Sequence, residues 1–163
     1  MTGKVEWRIR TYRPDDVEAL VSLFYETVHT VNAADYTPQQ LAAWAPESGR
    51  KEREEKWRHS LGQNASFIAE LNGKIVGFSD LQKDGYLDRL YVHKDHQRQG
   101  IAAALLKRIE EEAENLGLPK IRVDVSLTAK PFFEKNGYQT IRQQIIEREG
   151  IELINHKMVK NLR

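Results

Sequence analysis

The chain has 163 residues, enough for one domain with an adequate core. Its 25 basic and 24 acidic residues leave a net charge of +1, which points to a solvated surface of mixed sign and gives no electrostatic case for nucleic-acid binding. It has no cysteine, which excludes a disulfide framework, a thiolate metal site and a cysteine nucleophile.

Taken in order, the chain opens with MTGKVEWRIR, which lacks the apolar stretch of a signal peptide. No later run reaches transmembrane length, so the expectation is a cytoplasmic protein with no membrane partner. Val5, Trp7 and Ile9 alternate with Glu6, Arg8 and Arg10, which predicts a half-buried first strand over Val5–Tyr12. Pro14 and the two aspartates after it suit a helix start, and Val17, Leu20, Val21, Phe24, Tyr25 and Val28 make its apolar stripe. Thr37 should cap a second helix that has Pro38 at its first position. Glu47–Gly62 reads as a charged helix with Trp57 and Leu61 inward, its run RKEREEK forming a solvated face. Ala65–Leu71 and Lys74–Gln82 are two strands joined by Asn72-Gly73, a strong hairpin signal.

The most informative stretch follows. Leu87 to Val92 reads as the end of a strand, and His93 to His96 as a polar turn. Ile101, Ala102, Leu105, Leu106, Ile109, Ala113 and Leu116 then recur at spacings of three and four, one stripe of an amphipathic helix. Gly117 suits its C-terminal cap, and Pro119 prevents it from resuming. A strand feeding a helix through a turn leaves backbone N–H groups unpaired at the helix start, and with the helix dipole these make an anion site. Gly100 lacks a Cβ that would hold a phosphate away, and Arg98 and Lys94 add positive charge. Two readings stand on this physics: a phosphate or pyrophosphate site, or an ordinary strand-turn-helix whose glycine eases packing.

Downstream, Lys120–Val125 is a strand, Ala129–Lys135 a short helix ending at Asn136-Gly137, and Tyr138–Glu147 and Ile151–Val159 a final pair of strands about Glu149-Gly150. The order β-α-α-β-β-β-α-β-α-β-β predicts an α/β (α+β) fold. It has a mixed, largely antiparallel sheet of about seven strands with helices on both faces, in one domain over residues 1–163.

Gln97-Arg98-Gln99-Gly100-Ile101-Ala102 fits the pattern Q/R-x-x-G-x-G/A and resembles the pyrophosphate loop of the GNAT superfamily of acetyl-CoA-dependent N-acyltransferases. The strand before it and the long helix after it are the context that loop requires. Ala129 to Tyr138 resembles the family's A-x-x-F-Y-x-K-x-G-F segment, in the right order and at the right separation. The resemblance covers roughly Val5 to Val159 and is specific from about Leu87 to Tyr138. The Rossmann pattern G-x-G-x-x-G is absent, as is the G-K-[ST] of a P-loop.

The resemblance implies attack of an amine on the acetyl-CoA thioester. Backbone amides of Gln99, Gly100, Ile101 and Ala102, with the side chains of Gln97 and Arg98, are expected to hold the pyrophosphate. The splayed strand end Leu90-Tyr91-Val92 is expected to pair with the pantetheine arm as an added strand would. One of its N–H groups would steady the oxyanion, worth roughly 3–4 kcal/mol in well-studied cases. Phe132 and Phe133 are expected at the thiol end of the cofactor, and Ser126 at the groove.

A lysine-like amine has pKa ~10.4, so only about one in 2,500 is free base at pH 7, a cost of ~4.6 kcal/mol. A base is therefore required. Asp88 is the first candidate, followed by Tyr86 and Asp80; the alternative for Asp88 is an ion pair with Arg89 or Lys83. The departing thiolate needs a proton. The family often uses the Tyr of its F-Y motif, where this chain has Phe133, which carries no proton to give. Tyr91 and Tyr138 are the substitutes, with water as a third route. His29, Asn32, Tyr36 and Trp44 lie in the segment that commonly walls the family's acceptor pocket; each could equally be a packing residue. His93 and His96 are three apart, but no third ligand has helpful spacing, so they read as solvated turn residues and no metal is expected. Ser126 and Thr128 lack the G-x-S-x-G of a nucleophile.

The function this implies is acetyl transfer from acetyl-CoA, as co-substrate, to a small-molecule or peptide amine. A CoA-binding sensor that lost the proton donor is one alternative, and an enzyme of another class holding a different phosphate ligand is another. Homodimers are common in the family, and nothing in this sequence decides the matter.

Overall fold

A computed structural model describes residues 7–163. Trp7–Thr11 forms β1, and Val5 lies outside the described residues. A 3-10 turn at Pro14–Asp16 leads into α1 (Val17–Thr30). The helices α2 (Pro38–Trp44) and α3 (Arg50–Gln63) follow. Thr37 caps α2 as the sequence predicts: its hydroxyl accepts from the Gln40 N–H while the Gln40 side chain accepts from the Thr37 N–H. Next come β2 (Ala65–Leu71), β3 (Lys74–Leu81) and β4 (Tyr86–Val92). The β2–β3 turn places Asn72 and Gly73 both at positive φ, the demand of a tight hairpin. The chain ends with α4 (Ile101–Asn115), β5 (Lys120–Ser126), α5 (Lys130–Lys135), β6 (Gln139–Arg148) and β7 (Ile151–Asn161).

The seven strands form one sheet in the order β1-β2-β3-β4-β5-β7-β6, antiparallel throughout except for β4 beside β5. One face carries α4, whose Ile101, Leu105, Leu106 and Ile109 are fully buried against Phe67, Val76, Leu87 and Val92. Each of these four side chains contributes about 1.5–3 kcal/mol by leaving water. The approach is close at Gly77, where a Cβ would lie 3.1 Å from both Ile101 and Leu105. The opposite face carries α1, α2 and α3 over Ile68 and Phe78.

One expectation fails at the end of α4. Leu116 does not join the apolar stripe; it is 46% exposed. The helix stops at Asn115, and Gly117 at φ +73 turns the chain away. The Gly117 N–H donates to the Glu114 carbonyl and the Leu118 N–H to that of Ala113, a Schellman closure that swings Leu116 outward. No helix of the described residues is long and apolar enough to cross a membrane.

Candidate active site

The site grows from a defect in β4. On the β3 side Asp80 faces Arg89 and Leu81 faces Leu87, so Asp88 is an extra, bulged residue. On the β5 side pairing covers only Tyr86–Arg122 and Leu87–Val123, and the two strands part beyond Leu87. A bulge bends its strand, and here the bend coincides with the parting. It also puts Asp88 and Arg89 on the same face, where alternation alone would have separated them.

The free edge of β4 carries hydrogen-bonding groups into this gap. His93 N–H donates to the Val76 carbonyl at 2.8 Å, so His93 and Tyr91 address β3 while Leu90 and Val92 address the other side. The Val92 carbonyl is already engaged, accepting from Thr27 Oγ1 at 3.1 Å and from Gln97 Nε2 at 2.7 Å. The second of these bonds corrects an expectation. Gln97 does not offer its amide to a ligand; it braces the turn through Val92 and the His93 carbonyl.

Just past the gap, Gly100 caps α4 at φ +84, in the left-handed region, and a Cβ there would meet no atom within 4 Å. The first helical bond runs from Ala104 N–H to the Gly100 carbonyl, so the N–H groups of Ile101, Ala102 and Ala103 have no partner within the helix. Arg98 is exposed at φ +60 beside them. An open cradle, unpartnered donors and a nearby guanidinium fit a pyrophosphate.

On the α1–α3 side of the gap lies a cleft of about 640 Å³. Tyr86, Asp88, Arg89 and Tyr91 of β4 and Asp124 and Ser126 of β5 form its floor. Tyr36 and Trp44 stand at the wall, their rings 5.3 Å apart and edge-on. Tyr36 holds the wall to the sheet: its hydroxyl donates to the Ile154 carbonyl at 2.7 Å and accepts from the Leu127 N–H at 2.9 Å. The other two residues expected in that wall are elsewhere. His29 Nε2 bonds to the Ala45 carbonyl at 2.8 Å, and Asn32 is buried outside the cleft lining. Both serve the packing of the α1–α2 connection.

Asp88 contacts Arg89 at 3.0 Å through its Oδ2, and Arg89 also binds Ser60 at 2.7 Å and the fully buried Asp80 at 3.1 Å. Asn64 donates to the same Asp80 oxygen at 2.9 Å. Burial pushes the Asp80 carboxyl up to about 6, against the pull of Arg89. Asp80 is therefore no base for an acceptor; it lies beneath the floor and supports Arg89. Tyr86 is also committed, donating to Asp124 Oδ2 at 2.9 Å, while Gln144 donates to Asp124 Oδ1. Burial raises the Tyr91 phenol, whose ring packs edge-on to Phe24 at 5.1 Å.

Tyr138 is not brought to the cleft. It is buried beneath α4, and its hydroxyl donates to Glu110 at 2.9 Å. Phe133 is buried in the same core against Tyr138 at 5.1 Å, with Phe132 half-buried at the margin. Ser126 lines the cleft, and its Oγ accepts from the Ala129 N–H. His93 departs from its expected solvation: it is buried, its Nδ1 accepts from the Asp95 N–H, and burial holds its imidazole below the usual range.

Arg89, Asp124, Arg53, Lys56 and Ser60 are cleft residues that the sequence did not single out. Arg53 and Lys56 belong to the charged run of α3. Period 3.6 alone, applied about Trp57, would have put Arg53 on the inward face one turn away.

The geometry has known counterparts. An acetyltransferase (GNAT) domain family matches residues 32–160. The chain is 37% identical over 152 residues to the uncharacterized N-acetyltransferase YafP of Escherichia coli, covering 93% of each. A GCN5-related N-acetyltransferase from Rhodopseudomonas palustris superposes with TM-score 0.90 at 29% identity, over 99% of this chain and 100% of that one. A putative acetyltransferase from Salmonella typhimurium, yncA, solved with its cofactor acetyl-CoA, superposes with TM-score 0.72 at 18% identity, over 97% and 95%. This chain belongs to the GNAT family of acetyltransferases.

Proposed function

We propose that the protein is an N-acetyltransferase that moves the acetyl group of acetyl-CoA to a primary amine by direct attack. The observation that carries this is the parting of β4 from β5 at the Asp88 bulge, immediately ahead of an open helix N-terminus at Gly100. The backbone N–H groups of Ile101, Ala102 and Ala103, with Arg98, hold the pyrophosphate. The free edge of β4 at Leu90 and Val92 takes the pantetheine arm, and a β4 N–H faces the thioester carbonyl.

Bound acetyl-CoA supplies the acyl carbon, to which an N–C bond forms as the C–S bond breaks. Asp88 accepts the amine proton. Among the described residues its one fixed partner is Arg89, whereas both oxygens of Asp124 are taken by Tyr86 and Gln144. Tyr91 delivers a proton to the sulfur. Its raised phenol stays protonated across the working range, as a donor must. Tyr36 and Trp44 shape the acceptor's side of the cleft.

Phe133 favours a second reading, a CoA-binding module without turnover, because no tyrosine occupies that position. Thermal unfolding with and without acetyl-CoA tests the first requirement of both. A hundredfold excess over Kd adds ~2.7 kcal/mol, which raises Tm by roughly 5–10 °C. The shift should vanish in Gly100→Asp, a substitution whose side chain tolerates the left-handed backbone and puts a negative charge in the cradle. No shift in the folded wild type sinks both readings; a shift without turnover of any amine selects the second.

A further inference from the structure

The acceptor's own chemistry is written on α3. Arg53 lies in the cleft, half-buried, with its guanidinium carbon 5.0 Å from the centre of the Phe24 ring and 5.6 Å from that of Tyr25. Stacking of this kind fixes a guanidinium without neutralising it. Among the described residues Arg53 forms no ion pair. Lys56 lies one turn along the same helix face, exposed in the cleft and likewise without an acidic partner among the described residues. The other cations differ in their surroundings. Arg89 is bound to Asp80 and Asp88, while Arg148, at the β6–β7 end of the cleft beside Glu149, is exposed and donates to the Glu147 carbonyl.

The cleft is therefore charged at both ends. Asp88 and Asp124 stand on β4 and β5, where the amine must meet the thioester. Phe24, Tyr36, Trp44, Trp57 and Tyr91 line the space between. Arg53 and Lys56 close it on the α3 side. Two like charges one helical turn apart repel, and an anion between them relieves that repulsion.

We propose that the acceptor is an amine that also carries a carboxylate, joined by an apolar body, with the carboxylate bound by Arg53 and Lys56 and the nitrogen at Asp88. This rests on the acetyltransferase reading. A planar guanidinium presents paired donors that match a carboxylate's two oxygens, and Lys56 adds a point charge. A plain amine or a polyamine meets no complement at this end, and the second nitrogen of a diamine meets like charges.

The test compares matched pairs on the protein with acetyl-CoA: 6-aminohexanoic acid with pentylamine, 8-aminooctanoic acid with heptylamine, and 4-(aminomethyl)benzoic acid with benzylamine. The acid of at least one pair should be preferred in kcat/KM by about 10- to 100-fold, the span of a hydrogen bond to a charged group. Arg53→Gln should bring that ratio toward one, Arg53→Lys should recover part of it, and Lys56→Gln, at an exposed position, should lower it by a smaller factor. Calorimetric titration of each amine onto the CoA-loaded protein gives the same comparison without turnover. Equal kcat/KM within every pair, preference for the decarboxylated amine, an unchanged ratio in both Arg53→Gln and Lys56→Gln, or neither binding nor turnover of any member by protein that binds acetyl-CoA overturns the carboxylate assignment alone. Failure to bind acetyl-CoA overturns the acetyltransferase reading beneath it as well.

Discussion

The two faces of β4 are built on different principles. Toward α4, Leu87, Leu90 and Val92 join an apolar core fed by one continuous helix, and the proposed CoA cradle follows from that helix's first turn. Toward α1–α3 the same strand offers Asp88, Arg89 and Tyr91 to a cleft whose other walls come from six further helices and strands, each giving one to four side chains, and from the turns between them. The first face depends on shape and backbone, the second on charges held in place by a buried network. Substitutions on the two faces should therefore fail differently: on the α4 face through packing and cofactor affinity, on the α1–α3 face through chemistry and pH.

The largest effect is expected at Asp88. Asp88→Asn keeps the size and the bulge but removes the proposed base, and steady-state kinetics should show kcat/KM lower by about 10²–10⁴-fold. The Tm shift on adding acetyl-CoA should persist, because the cradle lies on the other face. Tyr91→Phe should sit near the low end of that range, about 10²-fold, because a thiol of pKa ~8.5 leaves without much help. If Asp88→Asn abolishes the acetyl-CoA shift as well, the two faces are not separable.

Next comes the network beneath the cleft. Arg89→Leu leaves Asp80 buried without its ion-pair partner, which costs about 3–5 kcal/mol, or a Tm lower by roughly 6–20 °C at 2–4 °C per kcal/mol. The sign with pH follows from Asp80. Its carboxyl titrates at about 6 in the fold and at ~3.9 when unfolded. The folded chain therefore holds the extra proton between those values, and the stability this gives is present at low pH and lost as pH rises through 6. Without Arg89 the carboxyl rises further, so the variant should lose more stability at pH 8 than at pH 5. Equal losses at both would mean that Asp80 and Arg89 do not act on each other.

On the α4 face the corresponding probe is Gly77→Val. Its Cβ must fit 3.1 Å from Ile101 and Leu105 and 3.2 Å from the Tyr91 carbonyl. Overpacking of this kind costs about 1–3 kcal/mol, or roughly 2–12 °C in Tm. It should weaken acetyl-CoA binding more than it alters the acid-to-amine preference, because it pushes on the helix whose first turn is the cradle. Calorimetry with acetyl-CoA checks this directly.

The same contrast explains what was legible in the sequence. The α4 face was legible because its signals are local: a strand, a turn, Gly100 and a 3.6-residue stripe lie within one stretch, and all the strands fall near their predicted bounds. The bulge at Asp88 was not legible. It is a matter of register between β3 and β4, and nothing in YLDRLYV marks which residue is extra. The cleft was only half legible for a related reason. Tyr36 and Trp44 stood out as aromatics in a polar segment, but Asp124 and Arg53 acquire meaning only when β5 and α3 are set beside β4. Gln97 was misassigned because a motif gives a position without saying whether its side chain points at a ligand or back at Val92.

Tyr138 is the sharpest discriminator between the faces, and the effect expected there is the smallest. Sequence alone made it a candidate proton donor, equal to Tyr91. In the fold it lies under α4, where burial and the neighbouring Glu110 raise its phenol and its hydroxyl donates to that carboxylate. Lys160 Nζ reaches the same carboxylate at 3.1 Å. Tyr138→Phe removes one hydrogen bond, and the Lys160 contact remains to satisfy Glu110. The cost should be about 0.5–1.5 kcal/mol, a fall in Tm of roughly 1–6 °C. With acetyl-CoA and an accepted amine, kcat should stay at the wild-type value across pH, whereas Tyr91→Phe lowers it. A fall in kcat for Tyr138→Phe that matches Tyr91→Phe would mean that proton delivery reaches the sulfur from the α4 side, and the division of labour between the two faces of β4 would have to be redrawn.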